Sequence, residues 1–247
     1  MHRKHVPSMG LRYWAALTLV SIFGANLGDF AAHDLHLGHA LGLIPMAILL
    51  SLVFFFERRD NSWTQRYYWL AIIIVRAAAT NLGDLAASDF KLGRPLAAAV
   101  LTALLALVLA FGWFQARDEG PAAKEPGTLP SIDAKYWIAM LMAGTLGTVL
   151  GDYTSFGMGL GTRYASLALD VLLAGVLSLG GLRLFVLTAY YWFTIVVIRT
   201  AGTAMGDYLA GKEVGIGLPM STALTGVLFV LVVWLWKDEG SHRLRTA

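Results

Sequence analysis

GANLGDF, residues 24–30, closes an apolar run long enough to cross a membrane, and it closes on a carboxylate. The same ending recurs as ATNLGDL with Asp84, TVLGDY with Asp152 and TAMGDY with Asp207. At the head of each run stands a Tyr-Trp pair: Tyr13-Trp14, Tyr68-Trp69, Tyr136-Trp137 and Tyr191-Trp192. The step from Tyr to Asp is sixteen residues in all four, and a small residue, Gly24, Ala79, Gly147 or Gly202, stands four before each Gly of the Gly-Asp pair. Recurrence at a fixed interval identifies a repeat architecture better than any single motif. The unit is Tyr-Trp, a helix, small-xxx-Gly-Asp, a glycine-containing turn and a second apolar helix.

The 247 residues are 57% hydrophobic and 14% charged, with mean hydropathy +0.63. That is too apolar for a soluble domain and implies a lipid bilayer as surroundings. Eight stretches approach the ~20 apolar residues that cross ~30 Å of hydrocarbon. Backbone groups cannot stay unpaired in lipid, and no ten-residue alternation marks a barrel, so the spans are helices. The expected fold is all-α: an eight-helix transmembrane bundle built from four parallel two-helix repeats, 11–60, 66–115, 134–182 and 184–236. A polar linker at 116–134 separates two halves within one integral membrane domain. The Tyr-Trp pairs are expected in an aromatic belt at the cytoplasmic surface, and the small-xxx-Gly pairs where helices approach closely. The opening MHRKH imitates a signal peptide, but the segment after it recurs three times and is read as a first span.

Outside the spans, thirteen Lys and Arg fall on the side of the termini: Arg3, Lys4, Arg12, Arg58, Arg59, Arg66, Arg117, Lys124, Lys135, Arg183, Lys237, Arg243 and Arg245. Four, Lys91, Arg94, Arg163 and Lys212, fall on the other. This asymmetry puts both termini in the cytoplasm. The basic excess follows membrane orientation, which removes nucleic acid as a partner. With no Cys there is no disulfide, thiol catalysis or thiolate metal site.

Each Asp stands about 24 Å from its Tyr, near the outer end of the hydrocarbon, and Arg76 and Arg199 stand about 12 Å in, near the midplane. Charges at such depth should face the interior and have partners. Arg76 and Arg199 are expected to neutralise carboxylates, with Asn26 and Asn81 in support, Asn26 sharing a helix face with Asp29. Asp170 in the sixth span has no counterpart in the other copies. Five carboxylates, Asp29, Asp84, Asp152, Asp207 and Asp170, then face two guanidiniums. The excess calls for protons or a bound cation, and oxygen ligands suit a hard divalent metal. A blander reading makes the Gly-Asp pairs helix-end caps. In the first outer loop His33, His36 and His39, beside Asp34, could share a helical face and bind a metal. Signatures of metalloprotease, serine hydrolase or P-loop are absent. The Gly that intramembrane aspartyl proteases carry three before the Asp is replaced by Asn26, Asn81, Val149 and Ala204, so the chain is not read as an enzyme.

The Tyr-Trp openings, the Gly-Asp closures and the turns at Leu37-Gly38 and Leu92-Gly93 resemble an uncharacterised family of bacterial multi-pass proteins known only as membrane-anchored. The resemblance implies eight helices in a bacterial inner membrane and carries no catalytic or binding residue with it. The functional expectation is a transporter or ion pathway for a small inorganic cation, a proton or a hard divalent metal such as manganese. The alternative is a non-transporting binding or scaffold protein.

Overall fold

Sixteen residues from Tyr to Asp are four steps of four, and residues four apart lie on one ridge of a helix. The computed structural model, which describes residues 5–62, 64–118, 129–181 and 188–235, uses that ridge as its axis. Among the described residues there are eight α-helices: α1 Leu11–Asp29, α2 Gly38–Arg59, α3 Arg66–Asp84, α4 Arg94–Asp118, α5 Ala134–Asp152, α6 Gly161–Gly181, α7 Thr188–Ala210 and α8 Gly217–Trp234. Part of the linker and the basic residues Arg3, Lys4, Lys124, Arg183, Lys237, Arg243 and Arg245 lie outside the described residues.

The first helices of the four repeats form an inner ring in which α1 touches α3, α3 touches α5, α5 touches α7 and α7 returns to α1. The second helices lie outside it, each packed on the inner helix of the next repeat: α2 on α3, α4 on α5, α6 on α7 and α8 back on α1. Inner helices approach closely because of the small-xxx-Gly pairs. A Cβ added to Gly147 would stand 2.6 Å from the Arg199 Cβ, and one on Gly151 would stand 2.9 Å from the Thr200 carbonyl oxygen. The same relation joins Gly28 to Thr80, Gly83 to Thr148 and Gly206 to Ala25, so one contact repeats around the ring. Close approach of this kind drives helix association in lipid, where apolar burial contributes little.

The outer helices turn Leu41, Ile48, Leu104, Leu107, Val171 and Val227 outward. Exposed apolar faces of this extent need lipid beside them. Among the described residues, six helical segments, those of α1, α2, α3, α4, α6 and α8, are long and apolar enough to span a membrane. The other two helices, α5 and α7, complete the inner ring and carry glycine, threonine and Arg199 toward its centre. The chain is therefore a multi-pass membrane protein.

The Tyr-Trp pairs are not a belt at the lipid surface. Tyr13, Tyr68, Tyr136 and Tyr191 are buried and point to the axis, where their hydroxyls close a ring of hydrogen bonds of 2.8, 2.7, 2.8 and 2.7 Å. Each hydroxyl can donate once and accept once, so the circuit satisfies itself. Each Trp packs edge-on to its own Tyr and tilted against the Tyr of the preceding repeat, as Trp137 does against Tyr68 at 5.9 Å and Trp14 against Tyr191 at 5.8 Å. Interior and belt both suit an aromatic ring with a polar handle. The register relative to the axis decides between them.

Candidate functional site: a carboxylate vestibule above two buried arginines

Going along the axis from the tyrosine ring, each four-residue step rises about 6 Å and brings one residue of every inner helix inward. The first layer, Leu17, Ile72, Met140 and Ile195, is apolar and fully buried. The second is Ser21, Arg76, Gly144 and Arg199, the third Ala25, Thr80, Thr148 and Thr203, and the fourth Asp29, Asp84, Asp152 and Asp207. All four Asp line a single cavity of about 660 Å³ with Thr80, Thr148 and Thr203. Next come His33, Ser88, Phe156 and Gly211, which stand four after each Asp, and then His39, Arg94, Thr162 and Leu218 at the starts of the outer helices. Exposed Lys212 and Glu213 belong to the rim. The cavity is thus a vestibule at the end of the bundle away from the tyrosines, with threonines at its floor.

The backbone around the Asp is not a helix end. Asp29, Asp84 and Asp152 keep right-handed helical angles and lead into π-helical turns, Phe30–Asp34, Leu85–Asp89 and Tyr153–Gly157, without a side-chain cap bond. Asp207 lies inside α7. The capping reading of the Gly-Asp pairs is therefore corrected: the wider π turn continues the wall of the vestibule past the carboxylate, as such turns do at functional sites. The glycines of the Leu-Gly turns have their own reason. Gly38 and Gly93 have φ of 67° and 73°, a left-handed conformation that favours glycine.

Arg199 does not pair with a carboxylate. Its Nε donates to Thr148 Oγ1 at 3.1 Å, and Nη1 donates to the Ser21 carbonyl at 2.7 Å. Its Nη2 donates to the Arg76 carbonyl at 3.2 Å, to Thr148 Oγ1 at 3.0 Å and to Thr80 Oγ1. One guanidinium thereby ties α7 to α1, α3 and α5 directly beneath the vestibule floor. Arg76 is fully buried at the same depth and has no hydrogen-bond partner for Nε, Nη1 or Nη2 among the described residues. Neutralisation of carboxylates by direct contact, expected for both arginines, is not what the structure has. The reason is axial separation: layer two lies about 12 Å from layer four, and threonines stand between.

Other expected members are placed elsewhere. Asp170 is half-buried on the outer helix α6 and does not line the vestibule. Asn26 turns away from Asp29 and donates from Nδ2 to Ser221 Oγ on α8 at 2.6 Å. Asn81 is buried facing Gly42 on α2. Both asparagines join inner to outer helices. His33 and His39 line the cavity with ring centres 5.4 Å apart. His36 sits in the turn at φ 55° and Asp34 is exposed, so the three His share no face. Among the described residues no group of three or more His, Asp or Glu could hold a metal ion. His39 instead bridges two carboxylates of the next repeat, with Nδ1 3.0 Å from Asp89 Oδ2 and Nε2 4.0 Å from Asp84 Oδ2.

The threonine layer and Glu213 carry no mark in the repeat motifs, and Arg94 and Lys212, counted above only for orientation, line the site as well. Aligning the copies twelve residues after each Tyr shows Ala25, Thr80, Thr148 and Thr203, and that regularity was available without a structure. The rim residues come from turns whose copies differ. The vestibule gathers five carboxylates, Glu213 included, against Arg94 and Lys212, leaving three negative charges in excess when all are ionised.

The model of the family described as Repeat of Unknown Function (DUF347) matches four times, at residues 12–61, 67–118, 135–180 and 190–238. The chain belongs to that family. Each match covers one inner helix and the outer helix after it. No curated protein and no solved structure matches the chain.

Proposed function

We propose that this member of the DUF347 repeat family is a membrane transporter or ion pathway for a small inorganic cation, with the vestibule as its entry and binding site. The observation that carries the reading is the convergence of Asp29, Asp84, Asp152 and Asp207 on one cavity. Carboxylates at membrane depth are costly unless they serve a pathway or have partners. Here they share space with too few fixed cations to balance them. Of the cations considered, the geometry favours protons or a hydrated ion over a bare divalent metal such as manganese. A cavity of about 660 Å³ has room for many waters at ~30 Å³ each, and no tight metal-ligand group is present among the described residues.

In this conformation the axis is closed beyond the floor by Arg199 and its threonines, the apolar layer and the tyrosine ring. The reading therefore makes this a state open at one end. The proposed setting is a bacterial inner membrane with both termini cytoplasmic. Arg12, Arg58, Arg59, Arg66 and Lys135 at the tyrosine end support that orientation, and the vestibule then faces the periplasm. Cation passage needs no covalent chemistry, so the proposal is not an enzyme.

Binding separates this reading from a scaffold. Each of the four Asp is changed to Asn in turn, which keeps shape and removes charge. Purified wild-type protein should bind Mn²⁺, Mg²⁺ or Ca²⁺ in calorimetry, or release more protons on adding base than its Asn variants do, and each variant should lose part of that response. A wild type that does neither, matched by its Asn series, leaves the scaffold reading.

A further inference from the structure

Arg76 and Arg199 occupy equivalent positions in repeats two and four, yet only Arg199 is satisfied. Arg76 is 0% exposed and has no hydrogen-bond partner on any guanidinium nitrogen among the described residues. A buried, unpaired charge is among the most costly features a fold can carry, and such a group calls for an unseen partner. The surroundings say what kind. In the same layer the Ser21 hydroxyl is also buried and unpartnered. The fourth position is Gly144, and Arg76 Nη1 lies 3.7 Å from where a Cβ on Gly144 would stand. Ala79 Cβ lies 2.9 Å from that same point, so Gly144 and Ala79 bring the guanidinium no acceptor.

Toward the membrane end that carries the termini, the tyrosine hydroxyls spend their hydrogens on one another. Toward the vestibule, Arg199 adds a second positive charge and takes the Thr80 and Thr148 hydroxyls for itself. The nearest carboxylate layer is about 12 Å away along the axis. What remains around Arg76 is its own guanidinium donors and the Ser21 hydroxyl, which can donate or accept but carries no charge. Water would satisfy the hydrogen bonds of Arg76 but would leave its buried charge with no counter-ion in contact.

We infer that Arg76 holds a small inorganic anion of halide size, bound between its guanidinium and the Ser21 hydroxyl beside Gly144. The ion serves as internal counter-charge to the arginine layer. The inference rests on the surroundings of Arg76 and not on whether the carboxylates above pass a cation, so it stands apart from the transport reading.

The test is thermal unfolding of the purified full chain in detergent, in sodium chloride, sodium bromide or sodium gluconate at equal ionic strength. A ligand present at about a hundredfold its Kd should raise the melting temperature of a protein this size by about 5–10 °C. The wild type should show that rise in chloride and bromide relative to gluconate. Arg76→Met, which keeps the apolar stem and removes the charge, should lose the rise and melt no lower than wild type in gluconate. Bromide-soaked wild-type crystals should show an anomalous peak beside Arg76. Equal melting of the wild type in all three salts, or no bromide peak at that place, overturns the inference in favour of water. Should Arg76→Met fail to fold, the wild-type salt series and the bromide map decide alone.

Discussion

Gly147 shows how little freedom a single residue has in the inner ring. A Cβ there would stand 2.6 Å from both Cβ and Cγ of Arg199 and 3.0 Å from the Thr200 backbone nitrogen. Backbone cannot give way as the end of a flexible side chain can. Gly147→Leu should therefore lower stability by at least the ~1–3 kcal/mol typical of overpacking, and should also displace the Arg199 guanidinium. Gly112 on α4 has nothing within 4 Å of an added Cβ, so Gly112→Ala should be neutral or stabilising by up to about 1 kcal/mol. Unfolding of both variants in detergent, compared with wild type, checks the pair, and equal tolerance of the two would contradict the packing described for the ring. At this scale the sequence marked the residues but not their direction. Tyr13, Arg76 and Asp84 were visible as repeated or intramembrane polar groups. That the tyrosines turn to the axis, and that Arg76 meets no carboxylate, depends on how far the layers are separated along it.

At the scale of the elements, the repeat packs mainly outside itself, although α8 also touches α7. Its second helix packs on the first helix of the following repeat, and α8 closes the circle on α1. Each half of the chain thus has an inner and an outer helix whose partners lie in the other half: α4 rests on α5, and α8 rests on α1. Asn26 bonding to Ser221 seals the second of these junctions. Severing the chain in the linker between repeats two and three should give halves that are degraded when expressed singly and recovered together when co-expressed. Co-purification through a tag on one half reads the outcome, and a half that is stable and monomeric alone would refute the interlocked arrangement. The helices and their order were legible from hydropathy and the Tyr-to-Asp interval. The exchange of outer helices was not, because an apolar lipid-facing helix carries the same pattern whichever inner helix it packs against. The π turns escaped as well. A Gly-Asp pair after an apolar run has the composition of a helix end, and only the fitting of the wall around the cavity keeps the helix going.

At the scale of the molecule, four copies of one unit make a ring that is symmetric in backbone and asymmetric in chemistry. The tyrosine ring and the four Asp keep the symmetry. The arginines break it, appearing in repeats two and four, and His39 and Arg94 break it again at the mouth. Symmetric parts build the scaffold and the vestibule, and the departures set which charges stand where. Both kinds of position are visible in the sequence, but depth alone groups Asp170 with the four repeated carboxylates. The structure puts Asp170 on the outer helix α6, away from the cavity. That difference separates the carboxylates of the proposed cation path from one outside it. Cation entry into vesicles reconstituted with the protein is followed with a trapped proton- or Mn²⁺-sensitive dye. Wild type and Asp170→Asn should both carry the ion, whereas Asp152→Asn should fall to the level of empty vesicles. Flux lost in Asp170→Asn and kept in Asp152→Asn, or no flux of either ion in wild type, would contradict the account.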